Sequence, residues 1–585
     1  MVNTYCKQRV ANFLRGRQAF IFLVLIIFST TSQLFSQQIT VRGTVVAEAE
    51  NETLIGVNIL EKNGKALAAT DIDGKYSIVC DINSTLVFSY VGYTTREIKV
   101  DNQAILDVVL VSDSKLLDAL VVTGYRSEIK SNVSSAISTV KGKDVEKLVV
   151  LGIDQALQGQ APGIQVTQTS GAPGDDIAVR IRGVGTLGNS NPLYIVDGVP
   201  TNANINMFAT GDIESIDILK DGAAAAIYGS RAANGVIVIT TKKGKSGIPS
   251  FNFSSSIGMA KAYRLPKLLN AKDFLDVRNA AIKNANTLRD PARQLDTIPN
   301  NVLDTLPDID WLDQVFRTAP IQKYGLSASG GSENSKYYIT GEYLNQDGTY
   351  KGQGFKKYSL RFNGETGNKW FKVGNNISYA FTDRQVSNST GDGFGPGNEL
   401  SGIRYALIAA PVFNPYKPDG SYYNVSSELG DPTLFGDGNA NPLALIDATN
   451  WTVQRSRIFG NIFAELTLFK AVKIRTNLGG DFTFENEKKF KRKLSEAIYN
   501  PTSLNEGRVF SRNLIWTNTA DYEKRFGRSR ISGVIGMEAI ENRDNYLGAS
   551  VNNFFRTDAL FQNIDNSVTT DIKNIGASGI TTEWS

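Results

Sequence analysis

The sequence has no histidine and only two cysteines, Cys6 and Cys80. Without histidine the chain cannot build a Ser-His-Asp or Cys-His catalytic group, and it lacks the commonest general base and a common zinc ligand. Cys6 lies in a segment that we expect to be removed on export, so the exported protein cannot form an internal disulfide. These absences argue against most hydrolases. We predict a protein that is not an enzyme and that has no cofactor and no metal site.

Long apolar runs are also lacking. The apolar run near the amino terminus covers residues 19–28, which is short of the roughly 20 residues that a membrane-spanning helix needs. Four basic residues and no acidic residue come before it. A basic segment followed by a short apolar run is typical of a secretory signal peptide. We predict a signal peptide over residues 1–36, cleaved near Ser36, and disfavour the alternative of a single membrane anchor.

The chain has little net charge once that segment is set aside. Its 62 basic and 58 acidic residues give a formal charge of +4, and the four basic residues of the predicted signal peptide account for the excess. A neutral mature chain gives no electrostatic reason to expect nucleic acid as a partner. The 53 glycines, 29 phenylalanines and 22 tyrosines, at a mean hydropathy of −0.18, suit β-structure with polar and apolar faces.

Residues 37–112 consist of short β-rich runs separated by turn residues, which predicts a small antiparallel β-sandwich. Asn-Gly at 63–64 and Asp-Gly at 73–74 tolerate positive φ, so we expect tight hairpins there. A calcium loop counted from Asp71 would need a glutamate at its twelfth position, where Ile82 stands. The runs VRGTVV, DIDGKYSI and LVFSYVGYTTREIKV resemble the carboxypeptidase-regulatory-like domain at the front of many Bacteroidetes outer-membrane proteins. That resemblance implies an accessory module without peptidase activity.

A segment with a β-branched centre, LLDALVVTGYRSEIKS, follows within residues 113–131. It resembles the TonB box of the SusC/RagA family of TonB-dependent outer-membrane proteins, and the matching residues are Asp118, Ala119, Leu120, Val121, Val122, Thr123, Gly124 and Tyr125. Two of them, Ala119 and Leu120, depart from the commonest form. The resemblance implies that the box adds as a strand to a sheet edge of TonB, which ExbB/ExbD energises. The alternative is an ordinary strand of the domain that follows.

Hydrophobic runs alternate with glycine-rich turns over residues 132–245, which predicts a compact mixed α/β unit. The run at 183–188 satisfies G-x-G-x-x-G, but Asn-Ser-Asn-Pro follows it, where a dinucleotide fingerprint needs the start of a helix. RGVGTLGNSNPLYIVDGVP and LKDGAAAAIYGSRAANGVIVITTKKG instead resemble the plug of SusC/RagA transporters. The family usually has Ala-Ser after LKD, where this chain has Gly-Ala.

A plug fills the lumen of a barrel, so the resemblance implies that its charged residues lie buried against polar wall residues or water and lock the plug in place. The predicted lock residues are Arg180, Arg182, Asp197, Asp217, Lys220, Asp221 and Arg231. Acid and base catalysis by Asp217 and Asp221 is the alternative. No nucleophile motif accompanies either residue, which disfavours it.

Residues 246–585 change to a period of two, clearest in KIRTNLGGDFTFE. One face of each such strand can meet lipid and the other a wet lumen, which predicts a transmembrane β-barrel with long extracellular loops, notably over 382–451, and a helix at 270–286. A soluble sandwich is the alternative. We count roughly 10 to 12 strands by this period, whereas the family closes a barrel of about 22. We therefore expect an incomplete barrel, and a chain that is a fragment unable to transport by itself.

The sequence as a whole predicts a mainly β fold, with a small β-sandwich domain, a mixed α/β plug and an incomplete transmembrane antiparallel β-barrel. The resemblance implies TonB-dependent import of a bulky nutrient, either oligosaccharide or peptide, across the outer membrane of a Bacteroidetes-like cell. A SusD-like lipoprotein and outer-membrane lipid would be its further partners. The alternatives are a siderophore or cobalamin receptor and a non-transporting periplasmic binding or signalling protein.

Overall fold

The structure is a computed structural model, and it describes most of the chain outside the predicted signal peptide. The described residues are 38–48, 53–62, 67–90, 93–101, 103–111, 120–123, 126–129, 137–147, 152–168, 170–201, 205–222, 226–387, 401–429, 440–469, 471–494, 501–526, 529–554, 557, 562–564 and 573–584. The chain divides into two compact units. The first runs to residue 120 and includes 128–133, and the second comprises 121–127 and 134–585.

The first unit contains a β-sandwich, which we call the front sandwich. Its strands are β1 (Gln38–Ala47), β2 (Asn58–Glu61), β3 (Leu67–Ala69), β4 (Lys75–Asp81), β5 (Thr85–Ser89), β6 (Arg96–Lys99) and β7 (Val108–Leu110). They form one sheet in the order β4-β1-β7 and another in the order β3-β2-β5-β6. Val41, Ile59 and Phe88, each fully buried, belong to one apolar core to which both sheets contribute. The predicted sandwich forms, but it is not antiparallel throughout, because β1 and β7 pair in parallel.

The turn at the Asp-Gly pair differs from its prediction. The Asp71 carboxylate accepts the amide N–H groups of Asp73 and Lys75 at 2.9 and 2.8 Å, and Gly74 takes φ of 71°. The turn therefore forms, but it joins β3 to β4, which lie in different sheets. The predicted hairpin is wrong because local turn chemistry fixes a chain reversal and not the partner of the next strand. The Asn-Gly pair lies outside the described residues.

The second unit begins with a plug-like α/β body. Its strands are β10 (Ile137–Lys141), β11 (Ile164–Gln168), β12 (Ile177–Ile181), β13 (Leu193–Val196), β14 (Val199–Thr201), β15 (Ile213–Leu219) and β16 (Val236–Thr241). Its helices are α1 (Gly142–Lys147) and α2 (Ile153–Ala156), with 3-10 turns at Ile205–Met207, Thr210–Asp212 and Ala226–Ala232. We call this body the plug. Before it, β8 (Leu120–Thr123) and β9 (Arg126–Ile129) form a two-stranded sheet.

The plug sheet has the order β10-β15-β16-β13-β14, and β11 and β12 form a separate hairpin. β13 and β16 are parallel, and the other neighbours are antiparallel. Hydrophobic runs make β15 and β16 almost entirely buried, as strands covered on both faces should be. The fully described stretch 170–201 has no helix after Gly188. The predicted mixed α/β unit is confirmed, and its glycine run lacks the helix that a dinucleotide site requires.

The rest of the second unit is one antiparallel sheet of ten strands in sequence order, which we call the wall sheet. The strands are β17 (Gly247–Ala260), β18 (Ala319–Gly331), β19 (Ser335–Asp347), β20 (Gly354–Gly367), β21 (Phe371–Val386), β22 (Thr449–Leu468), β23 (Val472–Lys491), β24 (Ser503–Phe526), β25 (Ser529–Asn552) and β26 (Lys573–Trp584). Ten agrees with the predicted number. In the part of the chain that the structure describes, β17 and β26 are the edges.

Long connections join the strands at one end of the wall sheet, which we call its loop end. They carry the helices α3 (Ala271–Asn286), α4 (Trp311–Val315), α5 (Gly402–Ile408) and α6 (Pro442–Asp447). The predicted helix at 270–286 is confirmed, and the Asn270 side chain caps it by accepting from the Asp273 amide. Trp311 and Phe413 centre an apolar cluster among these connections. Among the described helices, none is long and apolar enough to cross a membrane.

The wall sheet has polar residues on its buried face and apolar residues on its exposed face. In β20, Lys357 and Arg361 are 1% and 4% exposed, whereas Leu360 and Phe362 are 61% and 41% exposed. β23 repeats the alternation, with Asp481 buried and Leu478 exposed. A strand whose apolar face stays open while its polar face is covered suits a membrane wall with a filled lumen.

Candidate functional site: the contact between plug and wall

The plug packs against the buried face of the wall sheet. Its apolar core includes Phe208 and extends to wall residues, among them Phe459 and Ile515. The rings of Phe208 and Phe459 meet edge to face at a centroid distance of 5.3 Å. On β23, Gly479 lies so close to Val199 that an added Cβ would approach that side chain to 3.0 Å. The contact is tight, and the polar groups within it must be satisfied there.

The turn between β13 and β14 places one carboxylate directly on the wall. Asp197 and Gly198 both have positive φ, 49° and 86°, as a two-residue hairpin turn of this kind requires. The Asp197 carboxylate accepts from the Thr241 amide at 3.0 Å and from the Thr241 hydroxyl at 2.7 Å. It also accepts from the Arg361 guanidinium on β20. The Asp197 and Arg361 side chains are 5% and 3% exposed, so this is a buried, charge-assisted contact between plug and wall.

A second buried contact lies at the end of β14. Arg457 on β22 donates to both carboxylate oxygens of Asp481 on β23, each at 2.7 Å. The Thr201 hydroxyl of the plug donates to Asp481 at 2.8 Å and accepts from Arg457 at 2.9 Å. Arg457 and Asp481 form a bidentate pair, the strongest geometry that this ion pair can adopt. Arg457 and Asp481 both belong to the wall, and the Thr201 hydroxyl of the plug forms a hydrogen bond with each of them.

A third contact holds the 3-10 segment 205–212. Lys323 on β18 donates to the Thr210 hydroxyl at 2.6 Å, and Lys357 on β20 donates to the Asn206 and Phe208 carbonyls at 3.3 and 3.4 Å. Both ammonium groups pair with Glu342 on β19, at 3.2 and 3.3 Å. Two lysines around one carboxylate leave a net positive charge, which faces the carbonyls and hydroxyl of the plug.

Two of the seven predicted lock residues reach the wall directly. Asp197 pairs with Arg361, and Arg231 donates to Glu538 on β25 at 2.5 Å. The remaining residues contact groups of the plug itself. Those contacts are Asp217 with Thr139 at 2.6 Å, Lys220 with Ser138 at 2.6 Å, Arg182 with Asp221 at 2.6 Å, and Arg180 with Asn191.

The burial of the predicted lock residues differs from the expectation. We predicted that all seven would be buried, but this holds only for Asp217 and the Asp197 side chain. The partly exposed residues are Arg180, Lys220, Asp221 and Arg231. The Arg182 side chain is 55% exposed. It follows β12 with φ of 58° and opens the exposed turn at 183–188, so its pair with Asp221 stays in solvent. An exposed pair of this kind contributes little to stability.

Sequence reasoning missed the residues with which the wall holds the plug, including Arg361, Arg457 and Asp481. Each occupies an inward position of a strand with period two, where polar residues are expected in any case. The only available signal was a full charge at an inward position, as in the SRIFGNIF run around Arg457 or the SLRFNG run around Arg361. That signal does not identify a partner.

The plug core also contains a buried acid. The Tyr194 hydroxyl donates to the Asp154 carboxylate at 3.2 Å, and Asp154 is 3% exposed. Burial raises the pKa of Asp154 to about 7, and burial likewise raises the pKa of Tyr194 above its ordinary value. Among the described residues there is no group of three or more Cys, Asp or Glu side chains that could hold a metal ion.

The predicted TonB box lies partly outside the described residues. Asp118, Ala119, Gly124 and Tyr125 are not described, and the residues between them, Leu120–Thr123, are strand β8. β8 pairs with β9 and belongs to neither the plug sheet nor the front sandwich as described. The alternative of a plug-sheet strand therefore gains no support from the described pairing.

Two family models match the chain. The TonB-dependent Receptor Plug Domain matches residues 129–236, and the CarboxypepD_reg-like domain matches residues 41–122. Both kinds of domain were predicted from the sequence.

Several known proteins are similar to this chain over most of its length. TonB-dependent receptor P26 of Formosa agariphila is 33% identical over 552 residues, which are 92% of this chain and 52% of that protein. TonB-dependent receptor SusC of Bacteroides thetaiotaomicron is 30% identical over 77% of this chain and 45% of its own length. A structure of the RagAB peptide importer in an open-open state superposes with a TM-score of 0.67 at 27% identity, over 79% of this chain and 53% of that one. The chain spans about half the length of these relatives, and it belongs to the SusC/RagA family of TonB-dependent receptors.

Proposed function

We propose that this protein takes part in TonB-dependent active import of a bulky nutrient, an oligosaccharide or a peptide, across the outer membrane. The observation that carries the proposal is the polar contact between plug and wall. Buried ion pairs and hydrogen bonds join them at Asp197, Thr201 and Thr210. The similarity to SusC and to the RagAB peptide importer supports the same function.

The polar contact suits a plug that must move and return. Buried ion pairs add little net stability compared with apolar packing, but they are costly when one partner is left alone. If water enters as the plug shifts, it can solvate Asp197 and Arg361 separately, whereas an apolar seal would gain nothing from water. We therefore assign the lock role first to Asp197 and Arg231, which contact the wall. The pairs within the plug would keep its shape during the movement.

The same proposal assigns residues 118–125 to TonB. Strand addition uses backbone N–H and C=O groups, so the departures at Ala119 and Leu120 should be tolerated. A SusD-like lipoprotein would close over the substrate on the side of the long connections. The support for this lipoprotein partner comes from the family, since SusC and the RagAB importer are relatives of this chain. Energy would come from ExbB/ExbD through TonB.

The test of this proposal is TonB capture together with uptake. In cells that produce the receptor from its own gene, deletion of residues 118–124 should abolish capture by the periplasmic domain of TonB and abolish nutrient uptake. Deletion of seven residues within the exposed stretch 288–297 is the matched control and should preserve TonB capture. Unchanged capture after the first deletion would refute the assignment of the box.

The alternatives give different results in the same cells. A siderophore or cobalamin receptor would restore growth on an iron chelate or on cobalamin and would not require a SusD-like protein. A non-transporting binding or signalling protein would show no uptake that depends on TonB. Either outcome would contradict nutrient import.

A further inference from the structure

The plug segment 205–212 carries a buried acid into its contact with the wall. Asp212 ends the 3-10 turn Thr210–Asp212 and is 5% exposed. The hydroxyl of Tyr338, on strand β19 of the wall, donates to the Asp212 carboxylate at 3.3 Å. Tyr338 is itself buried. The carboxylate therefore lies inside the contact between plug and wall and away from bulk water.

The cations of the neighbouring wall strands are paired with other carboxylates. These ion pairs are Lys323 and Lys357 with Glu342, and Arg361 with Asp197. The Asp212 carboxylate is instead hydrogen-bonded by neutral hydroxyl groups, those of Tyr338 and Thr340 on β19. Two neutral donors compensate an ionised carboxylate for its lost hydration less well than a directly paired cation would.

The surroundings on the plug side add no buried charge among the described residues. Helix α1 packs against the turn that ends at Asp212, and it contributes the buried residues Gly142 and Val145. The charged residues of α1 with described side chains are exposed, and they are Lys143, Asp144 and Glu146. Glu146 pairs with Lys242, whose amide N–H donates to the backbone carbonyl of Asp212 at 2.8 Å. The groups that decide the charge state of Asp212 therefore belong mainly to the wall.

The balance of these groups favours the protonated acid. Burial raises the pKa of Asp212 from 3.8 to about 6, and the Glu342 carboxylate adds to the rise. The Arg361 guanidinium and the two hydroxyl groups oppose the rise without cancelling it. While the segment is attached to the wall, its carboxylate binds a proton more readily than it would in water.

We propose that Asp212 is a proton-operated latch, which holds the segment 205–212 more firmly against β19 when its carboxyl group is protonated than when it is ionised. A protonated carboxyl group can stay buried and can donate a hydrogen bond as well as accept one. An ionised carboxylate gains from the water that reaches it when the segment leaves the wall. The latch rests on the import function proposed above and adds regulation to it, because release of the plug then needs less work at neutral pH than in acid.

The size of the effect follows from the two protonation equilibria. A group whose pKa is higher in the attached state stabilises that state in acid, and this stabilisation is lost as the pH rises through about 6. The equilibrium constant for attachment of the segment should therefore fall about tenfold between about pH 5 and pH 7.

The experiment is amide hydrogen exchange of a peptide covering residues 205–213. The receptor is produced from its own gene and reconstituted into lipid vesicles without TonB, and the rates are corrected for the intrinsic effect of pH on amide exchange. We expect protection of this peptide in the unsubstituted receptor to fall about tenfold between about pH 5 and pH 7. Asp212→Asn removes the titrating group and should make the protection independent of pH.

Tyr338→Phe tests the wall side of the latch. Its hydroxyl donates to the ionised carboxylate, so its loss should move the fall in protection to higher pH. A purely structural role of Asp212 within the plug would leave the midpoint of the fall unchanged in this variant. Tyr338→Phe also keeps the proposal testable if Asp212→Asn does not fold, which the amount of each variant in the outer membrane shows.

Glu214→Gln is the matched control, since Glu214 is an exposed acid two residues further along the same chain segment. It should keep the tenfold fall. Protection that does not change with pH in the unsubstituted receptor overturns the latch, and so does a fall that persists in Asp212→Asn or disappears in Glu214→Gln. TonB is absent from this measurement, whereas import is judged by TonB capture and uptake, so the two proposals can fail independently.

Discussion

Polar and apolar residues alternate with a period of two in both the front sandwich and the wall sheet. The buried face is apolar in the sandwich and polar in the wall sheet. In the sandwich, alternate residues such as Val41, Ile59 and Phe88 form an apolar core that is fully buried. In the wall sheet, Arg361 and Arg457 are buried, and the apolar residue Leu360 is open. Alternation alone therefore identifies a strand. The surroundings of each face decide whether apolar or polar residues are covered.

The difference also sets what stabilises each region. The sandwich is stabilised by the removal of apolar area from water, and this hydrophobic stabilisation is non-directional. The covered face of the wall depends on paired charges, which are directional and fail when one member is lost. The four predictions that follow test this contrast, ordered from the largest to the smallest by the expected effect of one substitution or of one pH unit.

The buried ion pair between plug and wall should give the largest effect. Arg361→Leu leaves the Asp197 carboxylate without its cation, and loss of one member of a buried pair costs about 3–5 kcal/mol. Adding Asp197→Asn removes the isolated charge, tolerates the positive φ and should recover much of that loss. Arg512→Leu, which breaks a more exposed wall pair, should cost about 1 kcal/mol or less. The measurement is urea unfolding in detergent, and equal losses at both arginines would contradict the contrast.

The open apolar face should be the next most sensitive. Leu360→Arg places a charge on a face that we assign to lipid, which costs about 2–4 kcal/mol near the bilayer midplane. Val79→Arg in the front sandwich, at a site that is 51% exposed, should change stability by less than about 0.5 kcal/mol. Folding into lipid vesicles measures the first and urea unfolding the second. A harmless Leu360→Arg would mean that this face meets water.

The buried acid of the plug should make plug stability depend on pH. The pKa of Asp154 rises from 3.8 to about 7 on burial, so the folded plug binds more protons than the unfolded chain between these values. Its contribution is fully present below about pH 4 and is lost as pH rises to about 7, at up to about 1.4 kcal/mol per pH unit. Asp154→Asn should flatten that slope. Amide hydrogen exchange in β13 measures it, and an unchanged slope would exclude Asp154 as its source.

The front sandwich should lack this dependence over the same pH range. Burial raises the pKa of Tyr76 and of Cys80, whose ordinary value is already 9.0, so both groups titrate at higher pH. A slope in amide exchange of β4 that matched the slope of β13 would show that the effect is not local to the plug.

The smallest effect should come from the turn between the two sheets of the sandwich. Asp71→Ala removes the acceptor of two backbone amides and should cost about 1 kcal/mol. Asp73→Ala removes only a loose, exposed pair with Lys75 at 3.7 Å, and it is the matched control. Thermal unfolding of the two variants should separate them, and identical melting temperatures would contradict the role of the Asp71 carboxylate.

The elements were largely predictable because each depends on neighbours in sequence. Alternation predicted β20 and β23, and the hydrophobic runs predicted β13, β15 and β16 within the plug. The helix at 270–286 begins at a capping asparagine that the sequence also displays. Local chemistry is sufficient for such features.

The ion pairs between the plug and the wall could not be predicted in the same way. Asp197 and Arg361 are 164 positions apart, and no local pattern distinguishes Arg361 from other inward polar residues of the wall. The exposure of Arg182 was missed because it depends on the position of the turn that follows β12. The Asp-Gly turn was found, but the crossing between sheets follows from packing of the whole sandwich. In each case the missing information was the tertiary structure, which decides which distant residues lie next to each other.

We assign the apolar face of the wall sheet to lipid and its polar face to the plug. Spin labels at Leu360→Cys and Leu478→Cys, in the receptor reconstituted into lipid vesicles with Cys80 buried, test this directly through collision with oxygen or with a water-soluble nickel chelate. We predict that both labels collide preferentially with oxygen, and that a label at Val79→Cys in the front sandwich collides preferentially with the nickel chelate. Preferential collision of the Leu360 and Leu478 labels with the nickel chelate would contradict the account.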